Sequence, residues 1–265
     1  MIVLPTKPEQ GNPEILSRLI IISHQGIGKS SAVAQLPNSL LIDLEGGSHQ
    51  ITANKINLQK LAGEQNVGIG RLFEETIAEI KKANATAGKC VYDYIVIDGI
   101  TALAKLARLR ATAQFKNSVM GKGMVAKGTI INDVITDVPE SGWMWYFKAF
   151  DDLDNMIQGL AGKCLIYLAH SKQGSLMKDG VKLDANDMNL ERKLSLDLLR
   201  GVDACGMAYR TDANTVVVSF KQNEKDLTIK CRVPRLSDKE IVLSTKDGKG
   251  NITTYWENIF IELKK

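Results

Sequence analysis

The chain has 265 residues, of which 44% are hydrophobic and 24% charged, and its formal net charge is +4. These values are typical of a folded globular protein and exclude a disordered, collagen-like or coiled-coil chain, while the mild positive charge is compatible with a polyanionic partner. The N-terminus lacks the apolar segment of a signal peptide, and the apolar run that ends at Ile22 is too short to cross a bilayer. We therefore expect a soluble cytoplasmic protein without a membrane partner.

Apolar runs and helical patterns alternate along the first two thirds of the chain. The runs are continuous rather than interleaved with polar residues, which is typical of parallel strands covered by helices on both faces. Three closely spaced runs, 204–209, 216–220 and 227–233, then predict antiparallel strands. The earlier strands are predicted at 19–22, 40–43, 94–98 and 165–169, and helices are predicted to begin near Lys29, Arg71, Thr101 and Trp143.

The predicted organisation is an irregular leader at 1–18, a core at 19–210 and a β-rich extension of the same domain at 211–265. No internal repeat or linker requires a second domain. The cysteines are far apart without a Cys-x-x-Cys pair, and only three histidines could complete a metal site with them, so this spacing does not predict a zinc site. We expect these thiols to be small buried side chains in a reducing compartment.

The sharpest motif is Ser23-His24-Gln25-Gly26-Ile27-Gly28-Lys29-Ser30, which fits G-x-x-x-x-G-K-[ST] except that Ser23 replaces the first Gly. A predicted strand enters this run and a predicted helix leaves it, so the loop amides point at a phosphate chain. Lys29 would contact the β- and γ-phosphates of a nucleoside triphosphate, and Ser30 would hold Mg²⁺. The predicted nucleotide-binding residues are Gly26, Ile27, Gly28, Lys29, Ser30 and Ser31.

Polar residues at the ends of other predicted strands supply the remaining chemistry. Asp98 ends the strand 94–98 and is expected to hold Mg²⁺ with Ser30. Because Gly99 rather than Glu follows Asp98, the group that activates water must come from elsewhere, and Glu45, beyond the second strand, is the leading candidate. His170 closes the fourth strand at the same edge, where it can sense the γ-phosphate. Lys29, Glu45 and His170 are therefore predicted to be catalytic.

In this order the motifs resemble those of the RecA-like ATPases, and within them the phage-encoded ATP-binding proteins that act in recombination by single-strand annealing. The resemblance covers 19–210, and its P-loop is the specific part. It implies a RecA-like P-loop fold, with a mostly parallel sheet covered by helices on both faces and antiparallel C-terminal strands. It also implies ATP and Mg²⁺ as cofactors, DNA-stimulated ATP hydrolysis, Glu45 as the catalytic base, and His170 as the residue that passes the nucleotide state to a DNA-binding loop.

Basic residues are concentrated in two segments that the resemblance places at the DNA surface. Between Gly99 and Asn132 there are six lysines and arginines and no acidic residue. The glycines of 116–129 predict that these lysines lie on a mobile loop along a phosphate backbone, and a second Lys- and Gly-containing loop is predicted after His170. The predicted DNA-binding residues are Lys116, Lys122, Lys127, Lys172 and Lys178.

Five aromatic residues, Trp143, Trp145, Tyr146, Phe147 and Phe150, could suggest a platform on which bases stack. Their spacing fits a helix packed on the sheet, so we assign most of them to the core. Trp145 and Tyr146 lie off the main apolar stripe.

Two further functions stay open. A P-loop kinase of a nucleotide or small metabolite shares the loop, and a binding module can use nucleotide only to hold its shape. The expected partners are single-stranded DNA, a single-strand binding protein and further copies of this chain. Arg210 and Lys221 are candidates for a residue that reaches a neighbouring subunit's site.

Overall fold

The computed structural model describes residues 11–127, 142–178, 181–223 and 228–264, with the backbone alone at 176–178 and 181–184. Six central strands run parallel in the order β7-β1-β5-β4-β2-β3, and the strands that follow β7 in the chain add to it antiparallel. The strands are β1 Arg18–Ser23, β2 Ser39–Asp43, β3 Lys55–Asn57, β4 Tyr94–Asp98, β5 Cys164–Lys178, β6 Val181–Met188, β7 Ala204–Arg210, β8 Thr215–Ser219, β9 Lys230–Cys231, β10 Glu240–Lys246 and β11 Ile252–Thr254.

Helices connect the parallel strands, as parallel pairing requires. Two single turns of 3₁₀ helix, Trp256–Asn258 and Ile261–Leu263, end the described chain. Within the described ranges, every helix is too short or too polar to cross a membrane. The helices are α1 Lys29–Val33, α2 Leu58–Gln65, α3 Ile69–Ala87, α4 Ile100–Asn117, α5 Val119–Ala126, α6 Gly142–Ile157 and α7 Arg192–Gly201.

The core lies on both faces of the sheet. Successive side chains of a strand point to opposite faces, so Ile20 and Ile22 of β1 pack on one side with α3, α4, α6 and α7. Leu19 and Ile21 pack on the other side with α1 and the C-terminal 3₁₀ turns. Because both faces are buried, each central strand is a continuous apolar run. The predicted architecture, a mostly parallel sheet between two covering layers with antiparallel C-terminal strands, is confirmed.

Strand β5 is longer than predicted. It does not end near Ala169 but continues to Lys178 and pairs with β6 in an antiparallel hairpin, with Ser171 opposite Met188 and Lys178 opposite Val181. The segment after His170 is therefore a strand, and its prediction as a loop is wrong, because its backbone groups find ladder partners in β6. Gly180 lies outside the described residues.

The segment after Asn117 also differs from its prediction. Helix α5 begins directly after α4, with the Ser118 hydroxyl accepting a hydrogen bond from the Gly121 N–H at 3.1 Å as an N-cap. Lys122 lies within α5 and Lys127 at its C-terminus, so the prediction of a mobile loop is wrong for 116–127. Residues 128–129 of that predicted loop lie outside the described part of the chain.

The buried face of α6 differs from its prediction only in the first turns of the helix, since Phe150, Leu153 and Ile157 are buried as predicted. Tyr146 is fully buried and Phe150 nearly so, whereas Trp143 is 42% exposed. Tyr146 fits the core because its hydroxyl donates a hydrogen bond to Glu191 at 2.8 Å. Trp143 lies in the first turn of α6, where its ring packs beside Tyr146 and Phe147 at the surface.

Candidate functional site

The loop between β1 and α1 has the backbone that its glycines predict. Gly26 and Gly28 have φ values of 79° and 105°, in the left-handed region that favours glycine. Neither would place a Cβ within 4 Å of another residue, so the concave side of the loop is open. Lys29 follows directly at the first position of α1 and is largely buried.

Ser23, which stands where the strict motif has Gly, takes part in holding Lys29. Its hydroxyl accepts a hydrogen bond from the Lys29 ammonium at 2.5 Å and donates one to the carbonyl of His24 at 2.7 Å. Burial lowers the pKa of Lys29, while the charges of Asp98 and Glu45 act in the opposite direction. The ammonium is thus placed among the carboxylates of the site rather than in solvent.

Ser30 and Asp98 form a pair of oxygen ligands. The Ser30 hydroxyl donates a hydrogen bond to Asp98 Oδ2 at 2.7 Å. This bond connects the end of the P-loop motif with the end of β4. Burial raises the pKa of Asp98, the bond from Ser30 opposes this, and the neighbouring carboxylates of Glu45 and Asp43 add to the increase. A hydroxyl and a carboxylate in this position match the oxygen ligands that Mg²⁺ takes in phosphate sites.

Glu45 lies against the backbone of Gly99. Gly99 has a φ of 105°, and a Cβ there would stand 2.7 Å from Glu45 Oε1. Any side chain at position 99 would therefore occupy the space that Glu45 uses. The residue after Asp98 is therefore Gly rather than Glu in the same structure in which Glu45, after β2, supplies the carboxylate.

Asp43, which was not among the predicted site residues, organises the Glu45 turn. It is fully buried, and its carboxylate accepts backbone N–H bonds from Glu45 at 3.0 Å, Gly46 at 2.7 Å and Ser48 at 2.9 Å. The Asn57 amide donates to it as well, at 3.1 Å. The signal in the sequence is an Asp at a strand end with Gly46-Gly47-Ser48 three to five residues later, which is typical of a turn organised by the Asp side chain.

Two consecutive residues of β5 contact the two halves of the site. His170 Nε2 lies 3.0 Å from Glu45 Oε2, and Ser171 Oγ lies 2.9 Å from His24 Nδ1 in the P-loop. The register of the sheet explains this, because Ser23 is the parallel partner of His170. The beginning of the β5–β6 hairpin is therefore bonded to the Glu45 turn and to the P-loop.

The C-terminal segment packs on the P-loop helix. The Trp256 indole is buried and donates a hydrogen bond to the Ala32 carbonyl at 2.8 Å. Gln35, just after α1, donates to the Ile252 carbonyl at 2.6 Å and accepts from Thr254 at 3.2 Å. Helix α1 has only five residues, and these bonds satisfy carbonyl and side-chain groups at its end. Nothing in the sequence near Trp256 indicated this contact.

The predicted DNA-binding lysines lie on three elements. Lys116 is half-buried in the last turn of α4, and Lys122 and Lys127 are exposed on α5. Lys172 is half-buried in β5 and donates to the Leu190 carbonyl at 2.5 Å. Lys178 ends β5, and its side chain lies outside the described part of the structure.

Two arginines of the same basic stretch are held by carboxylates. Arg108 pairs with Glu191 at 2.7 Å, and Arg110 pairs with Glu74. The net positive charge that this segment presents is therefore smaller than its sequence suggests, and it is carried by lysines.

Taken together, a P-loop between a parallel strand and a helix, a Ser–Asp oxygen pair and a carboxylate beside them define a nucleotide-binding P-loop protein. Residues 17–228 match the AAA domain family, and the chain belongs to this family of P-loop ATPases. The α/β P-loop fold predicted from the sequence is confirmed. A search of curated protein sequences found no match. Among solved structures, the chain is similar to a crystal structure of the RadB recombinase, with a TM-score of 0.41 and 10% identity over 90% of each chain.

Proposed function

We propose that the chain is a Mg²⁺-dependent ATPase that binds single-stranded DNA in recombination or strand annealing, of the phage-encoded type that its motifs resemble. The observation that carries the ATPase part is the position of Glu45. Its carboxylate is bonded to His170 at 3.0 Å and acts electrostatically on both Lys29 of the P-loop and Asp98. A P-loop protein that only holds its shape with nucleotide has no need for such a carboxylate.

The residues present fit a nucleoside triphosphate with its metal ion. Lys29 would neutralise the β- and γ-phosphates, and the open space beside Gly26 and Gly28 would let phosphate oxygens approach the loop amides. Ser30 and Asp98 would hold Mg²⁺, which supplies charge neutralisation of the phosphates when bound.

Glu45 would act as the general base. It takes a proton from water as the water oxygen bonds to the γ-phosphorus, the bond from that phosphorus to the bridging oxygen breaks, and ADP and phosphate leave. His170 fixes the carboxylate through its ring N–H, and Asp43 fixes the turn that carries it. Both are positioning residues in this scheme.

The DNA part of the proposal rests on the lysines of α5 and the hairpin. Lys122 and Lys127 are exposed and have no acidic partner among the described residues. Lysines of this kind bind a phosphate backbone by charge and counterion release rather than by base contacts. The hairpin that carries Lys172 and Lys178 starts at His170, so DNA bound there would adjoin the catalytic carboxylate.

The experiment is steady-state ATP hydrolysis with and without single-stranded DNA, on the wild type, Glu45→Gln and the double variant Lys122→Glu/Lys127→Glu. We expect stimulation by single strands in the wild type, loss of turnover with retained ATP binding in Glu45→Gln, and loss of DNA binding alone in the lysine variant. The matched control is Lys81→Glu/Lys89→Glu, which changes the charge equally at two exposed lysines, one within α3 and one just beyond its end.

Two outcomes contradict the proposal in different ways. If no DNA changes the rate of ATP hydrolysis, the protein is an ATPase without the proposed DNA role. If phosphate is transferred to an added nucleotide or metabolite, the protein is a kinase. Full turnover in Glu45→Gln would remove the assignment of the base. A salt titration of DNA affinity then counts the phosphate contacts, because each one lost lowers the slope by about one.

A further inference from the structure

A groove along α4 begins at the Glu45–His170 pair and is separate from the P-loop. Its first part is a cavity of about 520 Å³ with Glu45 and His170 in its wall and Ile69, Leu106 and Leu109 as apolar surface. Leu109 is 48% exposed, so apolar area here faces solvent rather than another part of the described chain. None of the P-loop residues lines this cavity.

The second part of the groove is a cavity of about 240 Å³ that leads to the hairpin. It is lined by Lys172 of β5 and by Arg108 and Tyr146. Both cavities are lined by Thr101, Lys105 and Asn189, so they lie next to each other along α4. The groove thus connects the predicted base with a predicted DNA-binding residue.

Lys105 is the cation of this groove that is free to bind a ligand. Arg108 is paired with Glu191, and Lys172 donates to the Leu190 carbonyl. Among the described residues, Lys105 has no hydrogen bond or ion pair, and its side chain is exposed at the junction of the two cavities. An apolar surface beside one free ammonium suits a ligand with a flat apolar part and a single phosphate.

We propose that the α4 groove holds one unstacked nucleotide of a bound single strand, with its base on the apolar surface of Leu106, Leu109 and Ile69 and its phosphate at Lys105. This rests on the proposed function. The larger cavity lies in the size range of small-ligand sites, and enzymes that extrude a base from its stack hold it between aromatic or apolar side chains. DNA in this position would touch Glu45 and His170 directly.

The test uses an adenine-rich strand with one 2-aminopurine, whose fluorescence rises when it leaves the stack, and measures anisotropy and 2-aminopurine emission together. We expect emission to rise with the wild type. Lys105→Ala should remove most of this rise and weaken binding about tenfold, the effect of losing one held base. Ala102→Phe, which adds a ring to the wall of the larger cavity, should do the same and abolish DNA stimulation of hydrolysis. Lys81→Ala, an exposed lysine of α3, is the control.

The readouts separate the two proposals. If the wild type binds single strands but 2-aminopurine emission and affinity are the same in Lys105→Ala and Lys81→Ala, the groove is not the site and the DNA-binding function stands. If the wild type binds no single strand, both proposals fall. If Lys105→Ala changes the sedimentation of the protein rather than its DNA binding, the groove holds a second copy of the chain and the inference is overturned. Lys105 is exposed, so this variant folds even if Ala102→Phe does not.

Discussion

The Glu45 carboxylate fills the space that a side chain at position 99 would take, with Oε1 2.7 Å from where a Cβ of residue 99 would stand. Gly99→Ala should therefore displace Glu45 and reduce kcat by at least about tenfold, while ATP binding is kept. Gly88→Ala is the matched control, because Gly88 also has a positive φ, 65°, but open space around it. Both variants should lose about 1–2 kcal/mol of stability from the backbone conformation. Thermal unfolding of the two variants measures the backbone strain that they share, and ATP hydrolysis measures the displacement of Glu45 that only Gly99→Ala should cause. Equal hydrolysis rates in the two variants would contradict this prediction.

His170 should act on the rate through Glu45. His170→Ala removes the 3.0 Å bond to the carboxylate, and a lost bond to a charged group corresponds to roughly tenfold or more in kcat. His170→Gln can still donate to Glu45 and should recover part of the rate. KM for ATP should change little in either variant. A rate that is as low in His170→Gln as in His170→Ala would show that the ring does more than position the base.

Asp43 should matter for turnover more than for nucleotide affinity. Asp43→Asn replaces an acceptor oxygen with an N–H₂ group that faces the N–H donors of its turn, so the turn that carries Glu45 loosens. We expect kcat to fall and KM for ATP to stay. Asp247→Asn is the control, since Asp247 organises an exposed turn in the same way, accepting from Lys249 at 2.9 Å and Asn251 at 2.8 Å. A matched fall in both variants would mean a general effect on folding.

Asp98 should lower the stability of the nucleotide-free protein. Burial raises its pKa in the folded state, so the folded protein binds more protons than the unfolded chain between the ordinary Asp pKa and that raised value. At neutral pH the charged carboxylate is therefore unfavourable for folding, and acidification through the raised pKa relieves this. Asp98→Asn should be more stable than the wild type at neutral pH without nucleotide, by an amount that shrinks towards pH 4. Urea unfolding at several pH values measures it, and an advantage that grows on acidification would contradict the assignment.

Trp256 should stabilise the P-loop helix. Trp256→Phe keeps a buried ring but leaves the Ala32 carbonyl without its 2.8 Å indole bond, which costs about 1–3 kcal/mol. For a chain of this size the expected fall in Tm is about 2–4 °C per kcal/mol. Trp143→Phe, at an exposed ring, should leave Tm unchanged. Equal Tm values for the two variants would show that the C-terminal contact adds nothing to stability.

The sequence was most informative where one short pattern determines one local structure. The P-loop, the strands that end at Asp43 and Asp98 and the helix that ends at Gly88 all depend on neighbouring residues, and the structure has them in place. Helix α2 and strand β3 lie in a polar stretch with little periodicity. Strand β11 is at the edge of the sheet and β10 lies between it and β8, so the position of β10 depends on a partner more than twenty residues earlier in the chain. Local patterns do not encode such pairing.

In the site, too, the sequence predicted what neighbouring residues determine and missed what distant residues determine. Glu45 and His170 could be placed at one edge from strand ends alone, but their 3.0 Å contact depends on the register between distant strands. The bond from Trp256 to Ala32 joins residues 224 positions apart. The ion pairs of Arg108 with Glu191 and of Arg110 with Glu74 likewise depend on residues far away in the chain. A count of charged residues in one segment of the sequence therefore could not predict that these two arginines are neutralised by carboxylates.

Strand β5 has fifteen residues, so it reaches about 50 Å when extended, from the middle of the sheet to the tip of the hairpin. Its first half is paired on both sides, with β1 and β4, and His170 and Ser171 lie where this pairing ends and the pairing with β6 begins. A force on the free end of a strand that is held at its other end produces bending where the held part ends. A partner that pulls on the hairpin would therefore shift His170 relative to Glu45, without any loop having to fold or unfold.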